Sequence, residues 1–123
     1  MPVQFSKDLG ESWTRKDSPF PGISGGQKPV ALKLQSKALL LISMDNKGTV
    51  VEKGSVVDKG TTFAALSFDD GETWSHVRKL DGVRGYMSAA QAPNGVIHIV
   101  GTKQSAVSLN EAWLKEGKPF PAK

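Results

Sequence analysis

Few side chains in this 123-residue sequence are placed to do chemistry, and their types exclude more than they offer. The absence of cysteine removes disulfide frameworks, thiolate zinc sites, iron–sulfur clusters and thiol nucleophiles. The two histidines, His76 and His98, are too far apart for a metal-ligand motif. His98 between Ile97 and Ile99 reads as a strand position, and His76 as a surface one. Ser24-Gly25-Gly26 is glycine-rich, but it lacks the Lys-Ser/Thr and the helix that would follow a phosphate-cradling loop, so it reads as a turn. No metal and no cofactor is expected. The one tyrosine, Tyr86, stands in Arg84-Gly85-Tyr86-Met87-Ser88, and taken alone it reads as a packed strand residue with a bonded hydroxyl. Two carboxylates, Asp8 and Asp69, occur in a repeated setting of hydroxyls, glycine and tryptophan, where an aspartate can accept backbone N–H groups inside a turn.

That repeat organises the chain. Ser6-Lys7-Asp8-Leu9-Gly10-Glu11-Ser12-Trp13 returns as Ser67-Phe68-Asp69-Asp70-Gly71-Glu72-Thr73-Trp74. Both read S-x-D-x-G-x-[ST]-W, with a shared Glu, and such internal repeats decide architecture. Apolar residues precede each copy (Val3, Phe5; Phe63, Ala65, Leu66) and follow it (Trp13; Trp74, Val77), so each predicts a β-hairpin with Gly in the turn and Trp folded back over it. Ser6, Asp8, Gly10 and Trp13, like Ser67, Asp69, Gly71 and Trp74, are expected to be structural. A worn third copy, Ser108-Leu109-Asn110-Glu111-Ala112-Trp113, is two residues shorter; Pro119-Phe120-Pro121 follows it at the offset at which Pro19-Phe20-Pro21 follows Trp13.

Strands are predicted over Gln27–Leu34, Ala38–Met44, Thr61–Ser67, Trp74–Lys79, Tyr86–Ala92, Val96–Gly101 and Val107–Leu114, with a hairpin turn at Pro93-Asn94-Gly95. Asp45–Gly60 reads as a long polar loop, and no helix is predicted. Thirteen glycines and seven prolines favour short strands and turns over a helical bundle. The length fits one domain, and apolar residues at 38% allow a core. Sixteen basic residues against twelve acidic ones leave a mild +4 with no basic cluster, so no nucleic-acid partner is expected. The longest apolar run, Ala38–Ile42, is far short of a membrane span, and no membrane partner is expected. Met1–Phe5 has neither the basic nor the apolar region of a signal peptide. Bacterial cytoplasm, or a fragment of a longer secreted protein, are the compartments left open.

The boxes resemble the Asp-boxes, or bacterial neuraminidase repeats, of sialidases and sialidase-like proteins. Phe20–Gln27, Phe63–Trp74, Gly85-Tyr86 through His98, and Asn110–Leu114 are similar to the C-terminal part of such proteins. The resemblance implies an all-β fold of antiparallel four-stranded propeller blades, about two to two and a half of the six in a full ring. Residues 1–18 would form a half blade with the first box, 19–80 a full blade with the second, and 81–123 a further blade with the degenerate box. It implies a homo-oligomer, three copies completing six blades, the N-terminal half blade of one copy completing the last blade of another. The family reaction would use a Tyr nucleophile paired with a carboxylate base, and arginines that bind the substrate carboxylate. Tyr86 matches the nucleophile segment. Arg84 and Lys59 are the substrate-binding candidates, and Asp58 and Asp81 the candidate carboxylates. Most of the family's catalytic set has no counterpart here. The expected function is a glycan-binding or degenerate non-hydrolytic module; the alternatives are an exo-sialidase active only on assembly, and a structural or protein-binding module.

Overall fold

A computed structural model describes residues 1–23, 27–46, 51–52, 55–56 and 60–116. Its strands pair antiparallel throughout. The chain begins with a hairpin of β1 (Pro2–Phe5) and β2 (Thr14–Asp17). A four-stranded sheet follows, in the order β3 (Val30–Lys33), β4 (Leu39–Asp45), β7 (Thr61–Ser67), β8 (His76–Leu80). Between β4 and β7 lies a two-residue ladder, β5 (Val51–Glu52) with β6 (Ser55–Val56), inside the segment the sequence reads as loop throughout. A three-stranded sheet comes next, in the order β11 (Ala106–Leu109), β10 (Ile97–Val100), β9 (Ser88–Gln91). One helix, α1 (Glu111–Glu116), ends the described chain. The fold is all-β but for that helix, and each sheet among the described residues is open.

β4 and β7 are the centre of the molecule because both are apolar on both faces. Successive strand side chains point to opposite sides. One side sends Leu40, Ile42, Ala64 and Leu66 into a core shared with Ile97, Ile99 and Leu109 of the three-stranded sheet. The other side sends Leu41, Phe63 and Ala65 against Phe20, with Trp74 and Val77 closing over them. Phe20 stacks at a tilt on Phe63 (5.1 Å) and meets Trp74 edge-on (5.3 Å).

The helix corrects the expectation of a strand over Val107–Leu114. The worn box has no glycine, and the chain does not make the box turn there. Instead the Asn110 side chain accepts the Trp113 N–H at 2.8 Å and caps a helix. Arg78 of β8 stacks over the Trp113 ring at 3.8 Å and donates to the Trp113 carbonyl at 2.7 Å, while Leu114 enters the main core. The helix thus fastens the end of the three-stranded sheet to the edge strand of the four-stranded one. No helix among the described residues is long and apolar enough to cross a membrane.

The registers define two ends. Lys33 faces Leu39 and Leu39 faces Ser67, so the β3–β4 turn and the second box lie together. Gln35 N donates to Gln91 Oε1, which brings the β9–β10 turn to this box end. Asp45 faces Thr61 and Thr62 faces Leu80, so the segments after β4 and β8 lie at the opposite, loop end. Ile42 is completely buried, and Ile42→Ala removes atoms from a site with core on every side. It is expected to cost about 2–5 kcal/mol of unfolding free energy, read as a lower urea midpoint at unchanged slope.

Candidate functional site

The box end is built by hydrogen bonds that the two boxes repeat atom for atom. The Ser6 hydroxyl donates to Asp8 Oδ1 (2.8 Å) and accepts from Gly10 N (2.8 Å); Ser67 does the same with Asp69 (2.8 Å) and Gly71 (2.8 Å). Asp8 Oδ1 also accepts from Ser12 N at 2.9 Å, and Asp69 Oδ1 from Thr73 N at 2.8 Å, with the Ser12 and Thr73 hydroxyls on the other carboxylate oxygens. The turn needs two consecutive residues at positive φ: Leu9 and Gly10 (58° and 93°), Asp70 and Gly71 (58° and 89°). The hydroxyl bonds from Ser12 and Thr73, then the backbone N–H bonds, hold Asp8 and Asp69 at about 2 although both carboxylates face water. They act as acceptors inside a turn, the structural role the sequence assigns them.

The boxes differ at tryptophan. Trp13 Nε1 donates to Gly10 O at 3.0 Å and the ring is 59% exposed. Trp74 is half-buried on Phe20, and its Nε1 finds no partner among the described residues.

The loop end holds the other sequence candidates. After β8, Val83 and Met87 are buried while Arg84 and Tyr86 between them are exposed, Tyr86 at 59%. The segment is pinned from inside. The Val83 carbonyl accepts the Thr62 hydroxyl at 2.8 Å. Arg84 O accepts from Thr102 N at 3.0 Å, and Arg84 N donates to Ser105 Oγ at 3.3 Å. Gly85 and Gly101 permit this close approach: a Cβ at Gly85 would run into the Thr102 hydroxyl, and one at Gly101 into the Arg84 carbonyl. A guanidinium and a phenol are therefore presented to solvent from a fixed backbone.

The structure leaves Arg84 and Tyr86 exposed on one segment, and no described residue is bonded to the Tyr86 hydroxyl as a base. Asp81, at the same end, pairs with Lys79 at 3.5 Å. No hydrogen bond among the described residues uses the Tyr86 hydroxyl, so the expectation of a packed strand residue with a bonded hydroxyl is corrected: Tyr86 precedes β9 and faces water. Asp58, Lys59 and the Ser24–Gly26 turn lie outside the described residues. His98 Nδ1 meets the Ser108 hydroxyl across β10–β11 (2.9 Å) and His76 Nδ1 the Ser75 hydroxyl (2.8 Å). No metal-holding cluster of His, Asp or Glu occurs among the described residues. Thr102 and Ser105, which fix the Arg84 segment, escape sequence reading because hydroxyl residues in a polar turn carry no periodic signal; Gly101 at a strand end is the one hint.

An exposed phenol (pKa about 10 in general) without a neighbouring base is a poor nucleophile at neutral pH. An exposed guanidinium is suited to binding a carboxylate, and an exposed aromatic ring to packing on a ring-shaped ligand. No family model, curated protein or solved structure matches this chain.

Two outcomes follow from this geometry. Asp8 and Asp69 have folded-state pKa values of about 2, below the ordinary 3.8. Their stabilising contribution is therefore fully present above pH about 4 and is lost as pH falls toward 2. Carboxyl-carbon NMR titration should place both midpoints near 2, and Asp69→Ala should flatten the fall in stability across that window. Gly101→Ala must separate the two loops and should cost about 1–3 kcal/mol by chemical denaturation.

Proposed function

We propose that this chain is part of a sialidase-like Asp-box β-propeller and that it holds acidic glycans at its loop end without hydrolysing them. The observation that carries the reading is the atom-for-atom repetition of the box network at Ser6–Trp13 and Ser67–Trp74. A turn held by a carboxylate, a hydroxyl and a positive-φ pair, used twice to join antiparallel strands, is what stacked, repeated blades require. The four-stranded sheet, packed face to face on the next sheet, supports the same reading.

The glycan reading rests on the end opposite the boxes. Arg84 offers the planar fork that matches a carboxylate, and Tyr86 offers a flat apolar face for a sugar ring. Hydrolysis would need a base at Tyr86, and the nearby Asp81 is engaged with Lys79. Read as partial blades beside a complete one, the two-stranded hairpin and the three-stranded sheet favour sharing of blades between copies, three of them making a six-bladed ring.

Glycan-array binding, together with release of fluorophore from a sialoside, tests the proposal. Binding of sialylated glycans without turnover is expected, from a species of about 40 kDa by light scattering, three times the 13.2 kDa chain. Arg84→Ala should weaken binding by about tenfold or more, the loss of a charge-assisted pair, and Tyr86→Phe should preserve it. Turnover abolished by Tyr86→Phe would overturn the non-hydrolytic reading in favour of an assembled exo-sialidase. Silence in both assays would leave a structural or protein-binding module.

A further inference from the structure

The box end carries a second polar site, distinct from Arg84 and Tyr86. A cleft of about 340 Å³ lies where the β3–β4 turn, the β9–β10 turn and the start of α1 converge, lined by Gln35, Ser36, Gln91, Asn94, Asn110 and Glu111. It is a shallow depression open to solvent, with Gln35, Ser36 and Asn94 exposed. Four of these six residues carry amides. None was marked as a site by the sequence, because each belongs to a turn or cap whose composition is explained by its local role.

These amides are fixed by the backbone. Gln35 Nε2 donates to the Ala92 carbonyl at 3.1 Å, and Gln91 spans its own turn, accepting from Gln35 N (2.8 Å) and donating to Gly95 O (3.1 Å). Asn94 Oδ1 accepts from Val96 N at 3.1 Å, and Asn110 Oδ1 from Trp113 N at 2.8 Å. The Ser36 hydroxyl accepts from Ala38 N at 3.3 Å. Gln91 thus spends both sides of its amide on the protein, and each of the other groups one. Gln35 Oε1, Asn94 Nδ2, Asn110 Nδ2 and the Ser36 hydroxyl proton are left without partners among the described residues. That makes one acceptor and several donors on residues that line one depression. The one charge in the lining, Glu111, is paired with Lys115 at 2.9 Å.

We infer that this cleft binds a neutral polyhydroxylated ligand, a short uncharged saccharide. Sugar hydroxyls both donate and accept, as do these amides, and groups already locked by the backbone lose little entropy on binding. An anion finds no unpaired cation here and meets Glu111; an apolar ligand would strand the amides unpaired. The inference stands apart from the loop-end reading, which concerns acidic glycans at the opposite pole of the sheets.

The test is an NMR titration of the ¹⁵N-labelled full chain with lactose, maltotriose and N,N′-diacetylchitobiose. At least one of these should shift the backbone amides of residues 35–37 and 94–96 and the side-chain NH₂ signals of Asn94 and Asn110. Asn94→Asp with Asn110→Asp keeps both acceptor oxygens, and hence the turn and the cap, but removes both donors. This variant should retain the wild-type circular dichroism and bind at least about tenfold more weakly, as expected for lost hydrogen bonds. No shift with any of the three up to about 50 mM, where even a millimolar Kd saturates, overturns the inference. Shifts that persist in the double variant also overturn it. Shifts confined to residues 81–87 and 101–105 overturn it too, while leaving the loop-end reading in place.

Discussion

Two neighbouring strands, β4 and β7, have no polar face, and the rest of the molecule is arranged around that constraint. Leu40, Ile42, Ala64 and Leu66 are completely buried on one side, and Phe63 and Ala65 on the other. A sheet with two apolar faces must be covered twice. The three-stranded sheet and α1 supply one cover. Phe20, carried across by the segment after the first hairpin, supplies the other with Trp74. The N-terminal ammonium of Met1 donates to the Phe20 carbonyl and Ser18 N donates to Met1 O at 2.9 Å, so the hairpin itself holds that lid down. Function is then left to the strand ends, the parts that burial does not dictate.

Those ends are unequal because the box is a rigid connector. Its carboxylate, hydroxyl and positive-φ pair satisfy the turn's backbone internally, so a box has little polar capacity left for a ligand. At the opposite end, the buried Val83 and Met87 anchor a seven-residue loop from which Arg84 and Tyr86 face outward. An alternation of buried and exposed residues in a loop pinned by Thr102 and Ser105 gives Arg84 and Tyr86 a defined placement without a regular element. The amide depression arises differently: its groups do not belong to the box but to the turns beside it, where Gln35, Asn94 and Asn110 bond to the backbone with one side of their amides.

Sequence patterning captures what is periodic or repeated. The β4 and β7 runs read as strands because their apolar stretches are continuous, and the Asn94-Gly95 turn because its residues are those a tight hairpin prefers. The Ser, Asp and Gly roles in both boxes are legible; the different placings of Trp13 and Trp74 are not. The third copy misled because Ser, Asn, Glu and Trp at box-like spacing also spell a helix start, and without a glycine the helix wins. Tyr86 stands just outside a strand that its neighbours suggest it should join, since Gly85 turns the chain against Thr102 before β9 begins. That contact joins residues distant in sequence, and nothing local announces it. The same holds for the cleft, whose walls come from both sheets and the helix.

The two box tryptophans show how differently one motif is covered at its two positions. Trp13 and Trp74 follow turns with the same Ser–Asp–Gly bonds, yet Trp13 donates to Gly10 O and is 59% exposed, while Trp74 is half-buried on Phe20. The difference is not in the box but in what stands beside it. The second box joins β7 and β8, and β7 has β4 and β3 on its far side. The first joins β1 and β2, and β1 has no such neighbours among the described residues; β2 is exposed along its whole length. A two-stranded hairpin is marginal by itself, and an open edge invites pairing. Here Phe5 against Gly71 and the Lys16–Glu72 ion pair hold it to the second box. The hairpin thus keeps an open β2 edge and an exposed indole, the surface on which the proposed sharing of strands between copies would draw.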